Sequence, residues 1–299
     1  MKNVILTAIC VMFLSGVVLA DWDRNEPAKY VQLPDMEPTG MDVKVGDSTI
    51  PGTNEPVKKV LADDFPCYQT NFITDIHIWG SWKGDDLPLN DGPAGTGLIA
   101  HPGHIVFKLG IWSDIPAVID ATGQVIEHSR PGELLWDRKF EPGQFGVRDA
   151  FPGPECWFDP NTGQFEPDNH QMAYQYNFFI DESEQPFEQK GTLTDRKVYW
   201  LSVDVEVLDI QNEAEFGWKT SHEHWNDDAT FRDEMWVIDP AHPAGGYWEP
   251  TGPWREMIYP DLHPWQGRSV DMAFVITPEP ATMTLLALGG LCILRRRRK

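Results

Sequence analysis

The chain lacks the patterns that mark common chemistries. It has no Gly-x-Ser-x-Gly, no His-Glu-x-x-His and no phosphate-cradling glycine loop, which sets aside the familiar serine hydrolase, zinc protease and nucleotide sites. Cations are scarce: 24 Lys and Arg stand against 46 Asp and Glu. Six of those cations sit at the two ends, so residues 21–277 carry 18 basic and 45 acidic side chains, a formal charge near −27 with His neutral. Nucleic acid is thereby excluded as a partner, because phosphate neutralisation dominates that binding. Cysteine is nearly absent. Cys10 and Cys292 lie in terminal apolar runs, which leaves Cys67 and Cys156 for the body. Two are too few for a cysteine-rich zinc or disulfide scaffold. No body segment shows a helical period.

Long apolar runs occur only at the ends. Lys2 precedes residues 4–20, which close on Val18-Leu19-Ala20. This is the layout of a secretory signal helix, residues 1–20, cut by signal peptidase after Ala20 during secretion. Residues 281–294 form a second uncharged run, about 21 Å long as a helix at about 1.5 Å per residue. That is short of the roughly 20 residues a membrane span needs. Arg295, Arg296, Arg297, Arg298 and Lys299 follow as a membrane-stop cluster. Their charge belongs on the cytoplasmic side, which places the body outside, and their long side chains can snorkel to extend the span.

Pro278, Glu279 and Pro280 stand just before that run. The order of triplet, apolar helix and basic end resembles the PEP-CTERM sorting signal. The resemblance implies an exported protein of a bacterium with two membranes, recognised by an exosortase-type transpeptidase that cuts near the triplet. It implies transient anchorage by the transmembrane segment 281–294 and delivery to the cell envelope or extracellular matrix. The short span suits presentation for processing better than permanent residence.

Residues 21–56 are rich in Pro, Asp and Gly and read as an extended leader with little structure of its own. Residues 57–277 read as one β domain. Leu201, Val203, Val205 and Val207 alternate with Trp200, Ser202, Asp204 and Glu206, and similar period-two runs occur at 72–82, 105–112 and 270–276. Weaker strands are expected at 134–140, 173–180, 215–220 and 230–237. The expected fold class is all-β, an antiparallel two-sheet sandwich with the jelly roll as a variant, plus the two terminal helices. The segments Leu61-Ala62-Asp63-Asp64-Phe65, Thr74 to Trp82, Phe216-Gly217-Trp218-Lys219-Thr220-Ser221 and His224-Trp225-Asn226-Asp227-Asp228-Ala229 carry a second resemblance. Together they are similar to an exported domain family that often carries the PEP-CTERM tail and has no assigned activity. That resemblance implies a single domain and supplies no catalytic residues.

Candidate sites follow from residue type. An exported protein with two body cysteines is expected to pair Cys67 with Cys156, closing a loop of about 90 residues, with two free buried thiols as the alternative. Trp79, Trp200 and Trp225 lie beside carboxylates or amides, the combination that stacks on and hydrogen-bonds a sugar ring; a second layer packed over that face is the alternative. Asp227 and Asp228 are the metal candidates, with calcium as the cation, because calcium takes several oxygen ligands. No catalytic residue is assigned, since no acid and nucleophile pair for glycoside cleavage can be marked. The functional expectation is a non-enzymatic binding or structural protein. The alternatives are a carbohydrate-binding or carbohydrate-cleaving sandwich that meets polysaccharide, and a calcium-dependent adhesion module.

Overall fold

The computed structural model describes residues 22–49, 55–92, 97–211 and 214–277. The signal segment 1–20 and the sorting tail 278–299, with both expected terminal helices, lie outside the described residues. Among the described residues the regular structure is strand, apart from two short 3-10 turns, and no helix is long and apolar enough to cross a membrane.

Thirteen strands build the frame. They are β1 (Tyr30–Gln32), β2 (Met41–Thr49), β3 (Pro56–Cys67), β4 (Asp75–Trp82), β5 (Ile105–Ile115), β6 (Arg130–Phe140) and β7 (Gly146–Asp159). They continue with β8 (Gln164–Phe179), β9 (Lys197–Val207), β10 (Phe216–Ser221), β11 (Thr230–Ile238), β12 (Gly246–Pro250) and β13 (Phe274–Thr277).

Five of them close into a ring. β4 pairs β8, β8 pairs β7, β7 pairs β2, β2 pairs β10, and β10 returns to β4. The β7–β2 pairing is parallel and the others are antiparallel, so this is a mixed five-stranded barrel. Past Gly46, whose φ of 89° suits glycine, β2 leaves the ring and pairs β3. β3 opens an antiparallel sheet in the order β3, β9, β5, β6. β11 adds to the other edge of β3, and β12 to β11.

Period-two alternation puts one core between barrel and sheet. Leu61, Phe65, Phe107, Leu109, Ile111, Leu201 and Val203 meet Val43, Ile76, Ile78, Tyr176, Phe178, Phe216 and Trp218 there. Phe107 sits at its centre, with its ring 5.0 to 5.4 Å from those of Phe145, Tyr176, Phe178 and Phe216. Each such buried side chain contributes about 1.5–3 kcal/mol.

The opposite face of the barrel strands points inward. Lys219 is in register with Asp42, Gly217 with Ser81, and Glu155 with His170. Cross-strand partners share a face, and all of these side chains are buried. The barrel is thus filled by charged groups and by Trp157. Gly217 is required there, since a Cβ would lie 2.7 Å from the Trp157 ring and 2.9 Å from Asp42 Cβ.

The all-β expectation agrees with this fold, and the simple antiparallel sandwich does not. Part of the frame is a closed ring containing one parallel pair, and the two strands of that pair are the ones their composition hides. β2 lies in the segment read as a leader, yet Met41, Val43 and Val45 are core residues. Trp22, at the start of the described chain, is also buried. β7 contains Pro152, Gly153 and Pro154 and keeps its pairing through register shifts at bulges.

Candidate functional site: an aromatic groove on the outer sheet face

The outward residues of the sheet follow from register. Trp200 faces Trp112, Ser202 faces Gly110, and Asp204 faces Lys108. On β11, Arg232 faces Val60 and Glu234 faces Lys58. All of these except Trp200, together with Tyr247 and Trp248 of β12, line a groove of about 480 Å³. Small residues make the floor: Ser202 is in register with both Gly110 and Ala62.

Aromatic plates and charged hydrogen-bonding groups meet in this groove. Trp112 and Trp254 lie edge to face, 5.8 Å apart at 81°. The Arg232 guanidinium stacks on both, 4.9 Å from Trp112 and 4.5 Å from Trp254. Trp112 Nε1 donates to Ser202 Oγ at 2.8 Å, which fixes the ring. Lys58 Nζ stands 5.0 Å from the Trp248 ring and 3.4 Å from Asp204 Oδ1. Arg232 Nε donates to Glu234 at 3.1 Å, and Lys108 pairs with Asp137 at 3.1 Å. Burial pushes the Asp204 carboxyl up to about 6, with Lys58 opposing the rise.

The three tryptophans singled out in the sequence are not the groove's plates. Trp79 is buried against Trp22, Ala273 and Val275. Trp200 is on the expected outward face but fully buried, and its Nε1 donates to Asp114 at 2.9 Å. Both are corrected from stacking candidates to packing residues: other parts of the chain cover that part of each sheet. Trp225 is half-buried between Tyr30 and the Arg196 guanidinium. The groove's own Trp112, Trp248 and Arg232, and Trp254 that packs on Arg232, were missed, because the turn-rich 239–254 segment hides the wall it forms.

Cys67 and Cys156 are both buried and free, so the expected disulfide gives way to the two-thiol alternative. Cys67 Sγ lies 3.1 Å from Gln69 O and accepts from Gly191 N at 3.2 Å. Cys156 Sγ faces Pro38 O at 3.6 Å.

Asp227 and Asp228 sit beside the sheet end. Asp227 accepts from the Ser129 backbone and hydroxyl, both at 2.8 Å, and Asp228 accepts from Ser269. His128 Nδ1 is 2.8 Å from Glu256 Oε1 and 3.6 Å from Asp227 Oδ1. Asp227, Glu256 and His128 bring their ligand atoms within 4.8 Å of one another and could hold a cation, whereas Asp228 is not in that group. Burial, then the neighbouring Asp228 and Asp227, pushes Glu256 up to about 8.

Three further carboxylates are buried beneath this region. Asp63 accepts from Gln32 at 3.0 Å and from the amides of Asp64 and Met272. Asp64 accepts from Asn226. Asp271 lies 3.0 Å from His224 Nδ1. Burial and their mutual repulsion push Asp63 well up, and burial first raises Asp64 to about 9 and Asp271 to about 7.

The family whose description reads "Domain of unknown function (DUF7901)" matches residues 28–277. The PEP-CTERM protein-sorting motif matches residues 277–299, and proteins with that motif are exported, exosortase-sorted and associated with the cell surface. Searches of curated proteins and of solved structures return no match. With a match over most of its length, the chain belongs to the DUF7901 family and ends in a PEP-CTERM sorting motif.

Proposed function

We propose that the folded body is a non-enzymatic glycan-binding module, carried to the cell envelope or extracellular matrix by its sorting tail. The observation that supports this most is the groove in which Trp112 and Trp248 meet Arg232, Lys58, Asp204 and Glu234, with Trp254 stacked against Arg232. A sugar ring needs an apolar plate and directional hydrogen bonds at its rim. Binding is favoured over cleavage because the carboxylates are held by cations: Asp204 by Lys58, Asp137 by Lys108 and Glu234 by Arg232. A carboxylate engaged in this way is poorly placed to attack or protonate a glycosidic bond.

Glycan-array binding by the purified full chain tests the reading. Retention of polysaccharide that is lost in Trp112→Ala is expected, and turnover of that polysaccharide would contradict it. For the sorting half of the proposal, deletion of residues 278–299 is expected to change the protein's location and remove processing.

A further inference from the structure

The barrel interior brings an amine and two carboxyl groups together away from water. Lys219, Asp42 and Glu155 are 0 %, 0 % and 1 % exposed. Lys219 Nζ contacts Glu155 Oε2 and lies 3.5 Å from Asp42 Oδ2. His170 Nε2 is 3.0 Å from Asp42 Oδ2 and 3.6 Å from Glu155 Oε2. Among the described residues, the second oxygens of Glu155 and Asp42 meet no hydrogen-bond donor. The residue just before β2 leaves room for the Lys219 amine: a Cβ on Gly40 would lie 2.9 Å from Nζ.

We propose that Lys219 and Glu155 are joined by an intramolecular isopeptide bond, an amide between Nζ and the side-chain Cδ that ties β10 to β7 across β2. The groups divide the chemistry among themselves. Burial pushes the Glu155 carboxyl up, toward the acid form that a nucleophile can attack. Lys219 and His170 keep Asp42 in its carboxylate form against the effect of burial, and it stands 3.5 Å from Nζ, where it can accept a proton; Asp42 and Glu155 in turn hold the Lys219 ammonium above its usual range, so this transfer is uphill and limits the rate. Asp42 takes one proton from the Lys219 ammonium, and the freed amine attacks Glu155 Cδ. A C–N bond forms and the C–OH bond breaks. The hydroxyl leaves as water with the proton that Asp42 carried. Of the remaining two Nζ protons, one stays on the amide and one passes to the Asp42–His170 pair. The net change is loss of one water, with no oxidant, metal or cofactor. Fixed contact in a dry site replaces external activation. An exported domain whose two thiols are unpaired would gain from this bond the covalent brace that a disulfide otherwise supplies.

Tryptic digestion of the purified full chain under denaturing, reducing conditions, read by mass spectrometry, decides the matter. The expected product is a branched peptide joining the Glu155 and Lys219 segments, one water lighter than their sum, with no cleavage after Lys219. Two linear peptides and normal cleavage at Lys219 would overturn the proposal. A branch from Lys219 to Asp42 would overturn the choice of Glu155. Asp42→Asn, checked for folding by circular dichroism, should give the linear peptides; a branched product from that folded variant would overturn Asp42 as the base. The wild-type digest stands alone if the variant does not fold.

Discussion

The Arg232 guanidinium lies 4.9 Å from the Trp112 ring although their strands are separated by β3 and β9. The contact is possible because the intervening outward positions are small: Ala62, Ser202 and Gly110. It converts a flat sheet face into a groove with a fixed aromatic wall. Trp112→Ala removes both the plate and a cation–π partner of Arg232. Glycan affinity should fall by about tenfold or more, on the order of 1–2 kcal/mol, while the melting temperature moves little. Isothermal titration together with calorimetric melting separates the two effects.

Removing the buried amine should be costly. Lys219→Met removes the proposed cross-link and leaves Asp42 and Glu155 in the barrel with His170 as their counter-charge among the described residues. Stranding a buried charged group by removing its partner destabilises by about 3–5 kcal/mol, and loss of the cross-link adds to that. Urea denaturation should show a correspondingly lower midpoint.

The domain should prefer mildly acidic to alkaline solution. Asp63, Asp64 and Asp271 have folded-state values raised above the unfolded carboxylate range, with Asp271 near 7 and Asp64 near 9. A raised folded value means the folded state holds the proton more tightly, so the contribution is full below about 4 and is lost as pH rises through those values. Melting temperature should therefore decline between neutral pH and pH above about 9. Asp64→Asn should flatten that decline.

The cysteines should be inert to reductant. Cys67 and Cys156 are buried and unlinked, so dithiothreitol should leave the melting temperature unchanged. Thiol titration should count two body thiols after denaturation and almost none before it.

Much of the frame was legible because alternation survives in the strand sequences. β9 and β5 show their inward and outward faces directly, and β3, β4, β10 and β11 follow. β2 alternates just as clearly at Met41, Val43 and Val45, but its Pro- and Gly-rich flanks disguised it. β7 was hidden by its prolines, and with it the parallel pairing that closes the barrel. The site was less legible for a related reason. Period two shows that Trp200 points outward, but not that later segments cover it while leaving Trp112 half open. The groove's second wall, at Arg232 and Trp248, depends on which edge β11 joins. The buried group of Lys219, Asp42, Glu155 and His170 comes from four strands, and only a closed ring brings those residues together.

The most direct test of the groove is tryptophan fluorescence of the full chain titrated with a neutral oligosaccharide taken from an array-positive polysaccharide. A saturable change should appear in wild type, weaken in Trp248→Ala and vanish in the Trp112→Ala, Trp248→Ala double variant. A titration that saturates equally well in the double variant would contradict glycan binding at this groove.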